Sequence, residues 1–221
     1  MNQLKTKDLF DLSHSRAGEL LAQTQYPWEA LPSIGAWILS IGEGLDPDEF
    51  EHPAPDVWIA KSAKVAPSAS ITGPCIIGEE TEVRHCAFIR GNALIGAGAV
   101  VGNSTELKNV ILFDGVQVPH YNYVGDSVLG YKAHMGAGSI TSNVKGDKTL
   151  VVIKSGEERL ETDRKKVGAM LGDFAEIGCG CVLNPGTVVG QRTQIYPLTS
   201  VRGVLPADSI CKDAKTIVKK K

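Results

Sequence analysis

From Ile59 onward an apolar residue returns at every sixth position: Ile59, Val65, Ile71, Ile77, Val83, Ile89, Ile95, Val101, Leu107, Phe113 and Pro119. A second run keeps the same step through Leu171, Ile177, Leu183, Val189, Ile195 and Val201. Four residues after most of these markers stands a small side chain, as at Ala63, Ala69, Cys75, Ala87, Ala93, Ala99, Thr105, Ala175, Cys181 and Thr187. A helix repeats about every 3.6 residues and a strand about every two, so this step belongs to neither. It is the signature of a parallel β-helix, in which short strands joined by tight corners wind a solenoid and each marker points into its core. Three repeats make one triangular coil of about 18 residues. Residues one coil apart then stack at about the 4.8 Å strand spacing. The predicted fold class is all-β, and chance alternation in a β-sandwich would not hold one register over so long a stretch.

Departures from the repeat divide the chain. Residues 1–52 read as helical, with Leu9, Phe10, Leu12, Leu20 and Leu21, then a Pro27-Trp28 turn and a Ser33-capped segment holding Trp37, Ile38 and Leu39. They are expected to form a helical cap over the open end of the solenoid or against a neighbouring subunit, because a β-helix end is a sheet edge. The solenoid is expected over 53–213. Residues 144–169 interrupt it with a strand-like Leu150 to Ile153, a Ser155-Gly156 turn and a charged return, which predicts a protruding hairpin or loop. Residues 214–221 read as a basic, solvated tail.

The count in sixes also fails between Pro119 and Leu129, where two residues are missing for two full repeats. The shortened stretch carries His120, Tyr121, Asn122, Tyr123, Gly125 and Asp126, and broken local rules concentrate at functional sites. Stacking arithmetic places Arg90 and Lys108 one above the other on one face. At ~5 Å and an effective dielectric of ~20, two such cations would repel by roughly 3 kcal/mol before screening. A bound phosphate would turn that repulsion into attraction; the alternative is pairing with Glu106 or splaying into water.

Composition narrows the function classes. The 221 residues carry a net charge of −2, which gives no electrostatic case for nucleic acid or a membrane surface as partner. No apolar run is long enough to span a bilayer and no secretory signal opens the chain. Five cysteines without a Cys-x-x-Cys spacing fit reduced thiols, and a cytoplasmic protein is expected. No metal site is expected either, since a zinc lyase would need three converging imidazoles and His85, His120 and His134 offer no close pair.

The order Arg90, Glu106, Lys108, His120-x-x-Tyr123-x-Gly125-Asp126, then Met135-Gly136-Ala137-Gly138-x-Ile140-Thr141-x-Asn143, resembles the acetyltransferase half of the bifunctional N-acetylglucosamine-1-phosphate uridyltransferase / glucosamine-1-phosphate N-acetyltransferase. The similarity covers residues 59–143 and resumes at Leu171-Gly172-Asp173 through about Lys212; the uridyltransferase half has no counterpart. The resemblance implies a left-handed β-helix, a homotrimer, acetyl coenzyme A between neighbouring solenoids, and a step toward UDP-N-acetylglucosamine. It further implies His120 as catalytic base with Glu106 steadying it, and Arg90 and Lys108 as the phosphate-binding pair. Tyr123, Asn143 and Lys148 match further sugar-phosphate contacts. Ala137, Cys179 and Pro197 fall at acetyl coenzyme A positions, and Lys212 stands where the family has a late arginine. His134 replaces an asparagine that touches the sugar, Val144 a tyrosine and Cys179 a serine. The implied acceptor is glucosamine 1-phosphate or a related, nucleotide-linked amino sugar.

The chemistry asked of such residues is coherent. An amine attacking a thioester must lose a proton, and histidine can take one near neutral pH. A carboxylate fixes the imidazole tautomer, and a backbone N–H of the Gly136 to Gly138 corner is a candidate oxyanion donor. A non-catalytic solenoid that binds a sugar nucleotide or scaffolds partners is the rival reading, because a fold does not fix a function.

Overall fold

The computed structural model describes residues 4–220, so Met1–Gln3 of the expected cap and Lys221 of the expected tail lie outside the described residues. From Val57 the chain winds a left-handed parallel β-helix. The first face stacks Ile59, Ile77, Ile95, Leu112, Leu129, Leu171, Val189 and Leu205. The second stacks Ile71, Ile89, Leu107 and Val124, then Thr141, Leu183 and Val201. The third stacks Val65, Val83, Val101 and Val118, then Met135, Ile177, Ile195 and Cys211. The interior is a narrow column of Ile, Val and Leu, nearly all fully buried, as the sixfold markers predicted.

Of the two missing residues, one falls inside the stretch that counting in sixes marked and the other one coil earlier. Val101 pairs with Val118, Leu107 with Val124 and Ile95 with Leu112, so each coil there is one residue short. The inward markers are therefore Leu112 and Val118 rather than Phe113 and Pro119. The stretch from Val118 through His120 to Val124 keeps the normal step. The shortening falls at the corner between the second and first faces. One coil earlier that corner is the left-handed pair Gly91 and Asn92; in the short coils a single left-handed residue turns it, Asn109 (φ 54°) or Asp126 (φ 48°).

This tight corner is held by a polar ladder. Asp126 Oδ1 accepts from Asn109 Nδ2 at 2.9 Å and Asp126 Oδ2 from Asn143 Nδ2 at 2.6 Å. Asp126 is buried, so its two oxygens serve the carboxamides that flank it above and below. Short-sided Asn and Asp are the non-glycine residues that tolerate left-handed backbone best.

The N-terminal segment corrects the expected cap. Its helices do not cover an open end; they lie along the side of the solenoid. The outward residues of the first face, Ile76, Leu94, Ile111, Val128, Met170 and Val188, are buried although they point away from the core. Helix Ile34–Gly42 packs on the strands that carry Ile76, Leu94 and Ile111. The Phe10 and Phe113 rings meet at 5.1 Å. Farther along, Asp173 accepts from the backbone N–H of Asp11 at 2.7 Å and of Tyr131 at 2.8 Å, pinning the segment to the coils. Arg16 pairs with Glu79 near the other end. Ser33 makes no side-chain cap, and Pro27–Ser33 is a 3-10 helix rather than a simple turn.

Both solenoid ends are closed by antiparallel strands instead. Phe50–Ala54 pairs with Val57–Ala60 at the first coil. At the last, Ile217–Lys219 pairs with Ser209–Cys211, so these residues of the expected solvated tail are a strand that covers an edge. The insert likewise does not simply protrude. Its hairpin, Val152–Ser155 with Glu158–Glu161, folds back with Val151 and Ile153 fully buried against the Gly186 corner.

Two outcomes follow. Asp173→Asn sets an amide N–H against a backbone N–H and is expected to cost about 1–3 kcal/mol, seen as a lower urea midpoint at unchanged slope. Asp126→Ala strands two half-buried carboxamides and is expected to lower the thermal midpoint more than Asn109→Ala, which leaves the Asp126–Asn143 bond intact.

Candidate functional site

The corner between the third and second faces carries one straight column of residues. His85, Asn103, His120, Ala137, Cys179 and Pro197 succeed one another from coil to coil. Ser104 N–H donates to His85 O, Tyr121 N–H to Asn103 O, Gly138 N–H to His120 O, Gly180 N–H to Ala137 O and Leu198 N–H to Cys179 O. Four residues singled out from the sequence, His120, Ala137, Cys179 and Pro197, thus lie on adjacent rungs of one edge. The next residue on each rung turns the corner in the left-handed region: Cys86, Ser104, Tyr121, Gly138, Gly180 and Leu198. Gly138 leaves open space there, since a Cβ would meet nothing within 4 Å.

Asn122, which sequence reasoning passed over, organises this edge. It is buried; its Oδ1 accepts from His120 N–H at 3.1 Å, and its Nδ2 donates to Gly136 O and Ser139 O at 2.9 and 3.1 Å. One side chain therefore ties the His120 rung to the Ala137 rung. Its position inside His120-Tyr121-Asn122-Tyr123 was the available signal. The His120 imidazole is exposed and makes no hydrogen bond to another described residue. Gly136 N–H and Gly138 N–H are already spent on Ile177 O and His120 O. Ala137 N–H has no partner among the described residues, so of the three backbone donors of this corner it is the one open to a ligand.

A second group occupies the second face beside the same edge. Arg90 Nη1 donates to Glu106 Oε1 at 2.6 Å, and its guanidinium lies 5.6 Å from the centre of the exposed Phe88 ring. The Glu106 carboxylate is therefore engaged by Arg90; no described hydrogen bond joins it to His120. Lys108 follows the Leu107–Ile89 pair as Arg90 does, so the two cations stand on successive coils. Glu106 holds the Arg90 guanidinium well into the cationic range, while the Lys108 ammonium has no described partner. Tyr123 Oη accepts from Asn143 Nδ2 at 3.2 Å over Gly125, where a Cβ would sit 2.5 Å from that Oη. Burial raises the Tyr123 phenol above its ordinary range, and the Asp126 and Glu106 carboxylates add to that. The phenol stays a neutral hydrogen-bonding group.

Three expected residues make no described hydrogen bond to this cluster. His134 is on the third face, where Nδ1 meets Glu176 Oε2 at 3.0 Å. It borders a groove of about 410 Å³ that also takes in Glu176, Cys179, Tyr196 and Pro197. Lys148 is exposed in the insert, its backbone N–H bonded to Lys145 O. Lys212 follows Cys211 at the end of the third face, one coil beyond Tyr196. His85 and His120 share an edge while His134 faces elsewhere, and among the described residues no three metal-binding side chains converge.

A model of the GMPPB C-terminal domain matches residues 71–155. The chain is 32% identical over 193 residues to the bifunctional protein GlmU of Methanococcus aeolicus, covering 79% of this chain and 47% of that one. It is 30% identical over 159 residues to the bifunctional sugar-1-phosphate nucleotidylyltransferase/acetyltransferase of Sulfurisphaera tokodaii, covering 64% and 40%. The chain thus spans about half the length, or less, of these curated relatives. Among solved structures, the acetyltransferase domain of PglB from Neisseria gonorrhoeae in complex with acetyl coenzyme A aligns at a TM-score of 0.37 and 20% identity, over 70% of this chain and 53% of that one. In its ordered motifs and its coils the chain resembles the acetyltransferase half of the bifunctional GlmU protein.

Proposed function

We propose that this chain is an acetyl-coenzyme-A-dependent N-acetyltransferase whose acceptor is an amino sugar carrying phosphate, and that it works as a homotrimer in the cytoplasm. The observation that carries this reading is the edge column, where the exposed imidazole of His120 and the Ala137 N–H, unpaired among the described residues, stand one rung apart, held together by Asn122. A relative named as a bifunctional sugar-1-phosphate nucleotidylyltransferase/acetyltransferase supports the reaction class.

The substrate amine attacks the thioester carbonyl carbon; a C–N bond forms and the C–S bond breaks. His120 takes the proton that the amine loses and returns it to the departing thiolate. Ala137 N–H donates to the carbonyl oxygen as it becomes an oxyanion, a term worth several kcal/mol when the donor is preorganised. On the second face Lys108 offers its charge to the acceptor phosphate, with Tyr123 and Asn143 as neutral contacts. The third-face groove beside Cys179 and Pro197 takes the donor.

An edge of a triangular prism is convex, so a ligand touching both adjoining faces is enclosed only when another solenoid lies alongside. That geometry supports the trimer, and it is how His134, on the third face, would meet a second-face cluster. The first face is unavailable for such contact, being covered by the N-terminal segment. The five free cysteines, with the Cys75 thiol pushed up to about 12 by burial, suit a reducing compartment.

A thiol-release assay with acetyl coenzyme A and a panel of amino sugars and their phosphates tests the reading. Turnover of a phosphorylated amino sugar is expected; tight ligand binding without turnover of any amine would instead leave a non-catalytic binder. His120→Ala is expected to lower kcat by about 10²–10⁴ while acetyl coenzyme A still binds. Unchanged turnover in that variant would reject His120 as base. Lys108→Ala is expected to raise the acceptor KM about tenfold and to flatten its salt dependence, with the donor KM little changed.

A further inference from the structure

The insert between Asn143 and Gly168 is the one part of the solenoid domain that neither the repeat nor the proposed reaction explains. It leaves and re-enters at the tight corner: Val144 bridges to Lys166, Val167 N–H donates to Asn143 O, and Gly168 N–H to Asp126 O at 2.7 Å. Both its ends are thus clamped beside Asp126, Asn143 and Tyr123.

Its charge is unlike that of the rest. Residues 144–167 hold seven lysines and arginines against five carboxylates, in a chain with 23 against 25. Glu157 and Glu158 sit at the turn beside the Lys154–Arg159 pair, and Lys145, Lys148, Arg164, Lys165 and Lys166 outnumber Asp147 and Asp163 near the clamped base. Lys145 is occupied by Asp147 at 3.5 Å. Lys148, Lys165 and Lys166 are exposed, and none has a side-chain partner among the described residues.

On the second face, Lys108, Gly125 and Ser142 follow one another on successive coils, so Lys108 lies two strand spacings, about 10 Å, from Ser142, two residues before the insert begins. Between them Gly125 contributes no side chain, and Tyr123 and Asn143 form a neutral, hydrogen-bonding floor. Lys108 therefore stands on one side of this polar gap, and the insert with its exposed lysines is rooted on the other. A sugar monophosphate would engage one end only.

We propose that the base of the insert completes an acceptor site for a nucleoside-diphosphate-linked amino sugar, the diphosphate lying between Lys108 and the cations Lys148, Lys165 and Lys166. This rests on the acetyltransferase reading and narrows it: the insert selects the substrate class. Charged oxygens paired with ammonium groups give the attraction, and exposure of the lysines makes it salt-sensitive.

The test compares kcat/KM for an amino sugar linked to UDP, dTDP or GDP with that for the same amino sugar 1-phosphate, in the wild type and in the Lys165→Gln/Lys166→Gln variant. Both positions are exposed, so the variant keeps the fold. The wild type is expected to favour a diphosphate-linked acceptor, and the variant's preference to fall about tenfold. Equal use of the monophosphate, or an unchanged preference in the variant, overturns the inference. Calorimetric titration with UDP, dTDP and GDP separates it from the reaction itself. Nucleotide binding that weakens in the variant, without turnover of any amine, supports the site and rejects the transferase. Turnover of the 1-phosphate without nucleotide binding supports the transferase and rejects the site.

Discussion

A parallel coil has to close on itself. Its backbone hydrogen bonds form only if the chain comes back to the same corner after each turn, and every side chain on the surface inherits its position from that return. Loss of one residue from a coil must be absorbed at a corner, or all later faces rotate out of register. In this chain two successive coils lose a residue at the same corner, at Asn109 and at Asp126. The Asn109–Asp126–Asn143 ladder is what makes the tight turn stable.

The consequence reaches the opposite edge. Because the deficit is absorbed at one corner, the edge with His120 keeps a regular step, and His120, Ala137, Cys179 and Pro197 remain stacked. The ladder also places Asn143 against Tyr123 and anchors the insert beside Lys108's face. The N-terminal segment completes the division of labour. By burying the outer residues of the first face it leaves the second and third faces, and the edge between them, as the side open to ligands.

The solenoid was legible because inward residues are set by a period, and a period survives wherever the core is apolar. Ile59 through Leu107 and Leu171 through Val201 held their predicted register. Phe113 and Pro119 misled the count because residues adjacent to the true markers are also apolar, so a slip of one residue leaves no trace in hydrophobicity. The stacking of Arg90 on Lys108 followed from the same ruler. The pairing of Arg90 with Glu106 depended on side-chain reach, which no period encodes, and the sequence left it open. The path of the N-terminal segment was hidden too: the outer residues Ile76, Leu94, Ile111 and Val128 spoke for a covered face, but they alternate with inward markers and read as ordinary strand. Asn122 was invisible as an organiser because its partners, Gly136 O and Ser139 O, are backbone atoms of the next coil.

In the proposed reaction one edge of the solenoid holds the reacting groups. A crystal structure of the protein with acetyl coenzyme A tests it most directly. The thioester is expected at the edge, its carbonyl oxygen within hydrogen-bonding distance of Ala137 N–H, with the pantetheine arm running past Cys179 toward Pro197. A donor bound elsewhere on the solenoid, with its thioester away from His120, would contradict it.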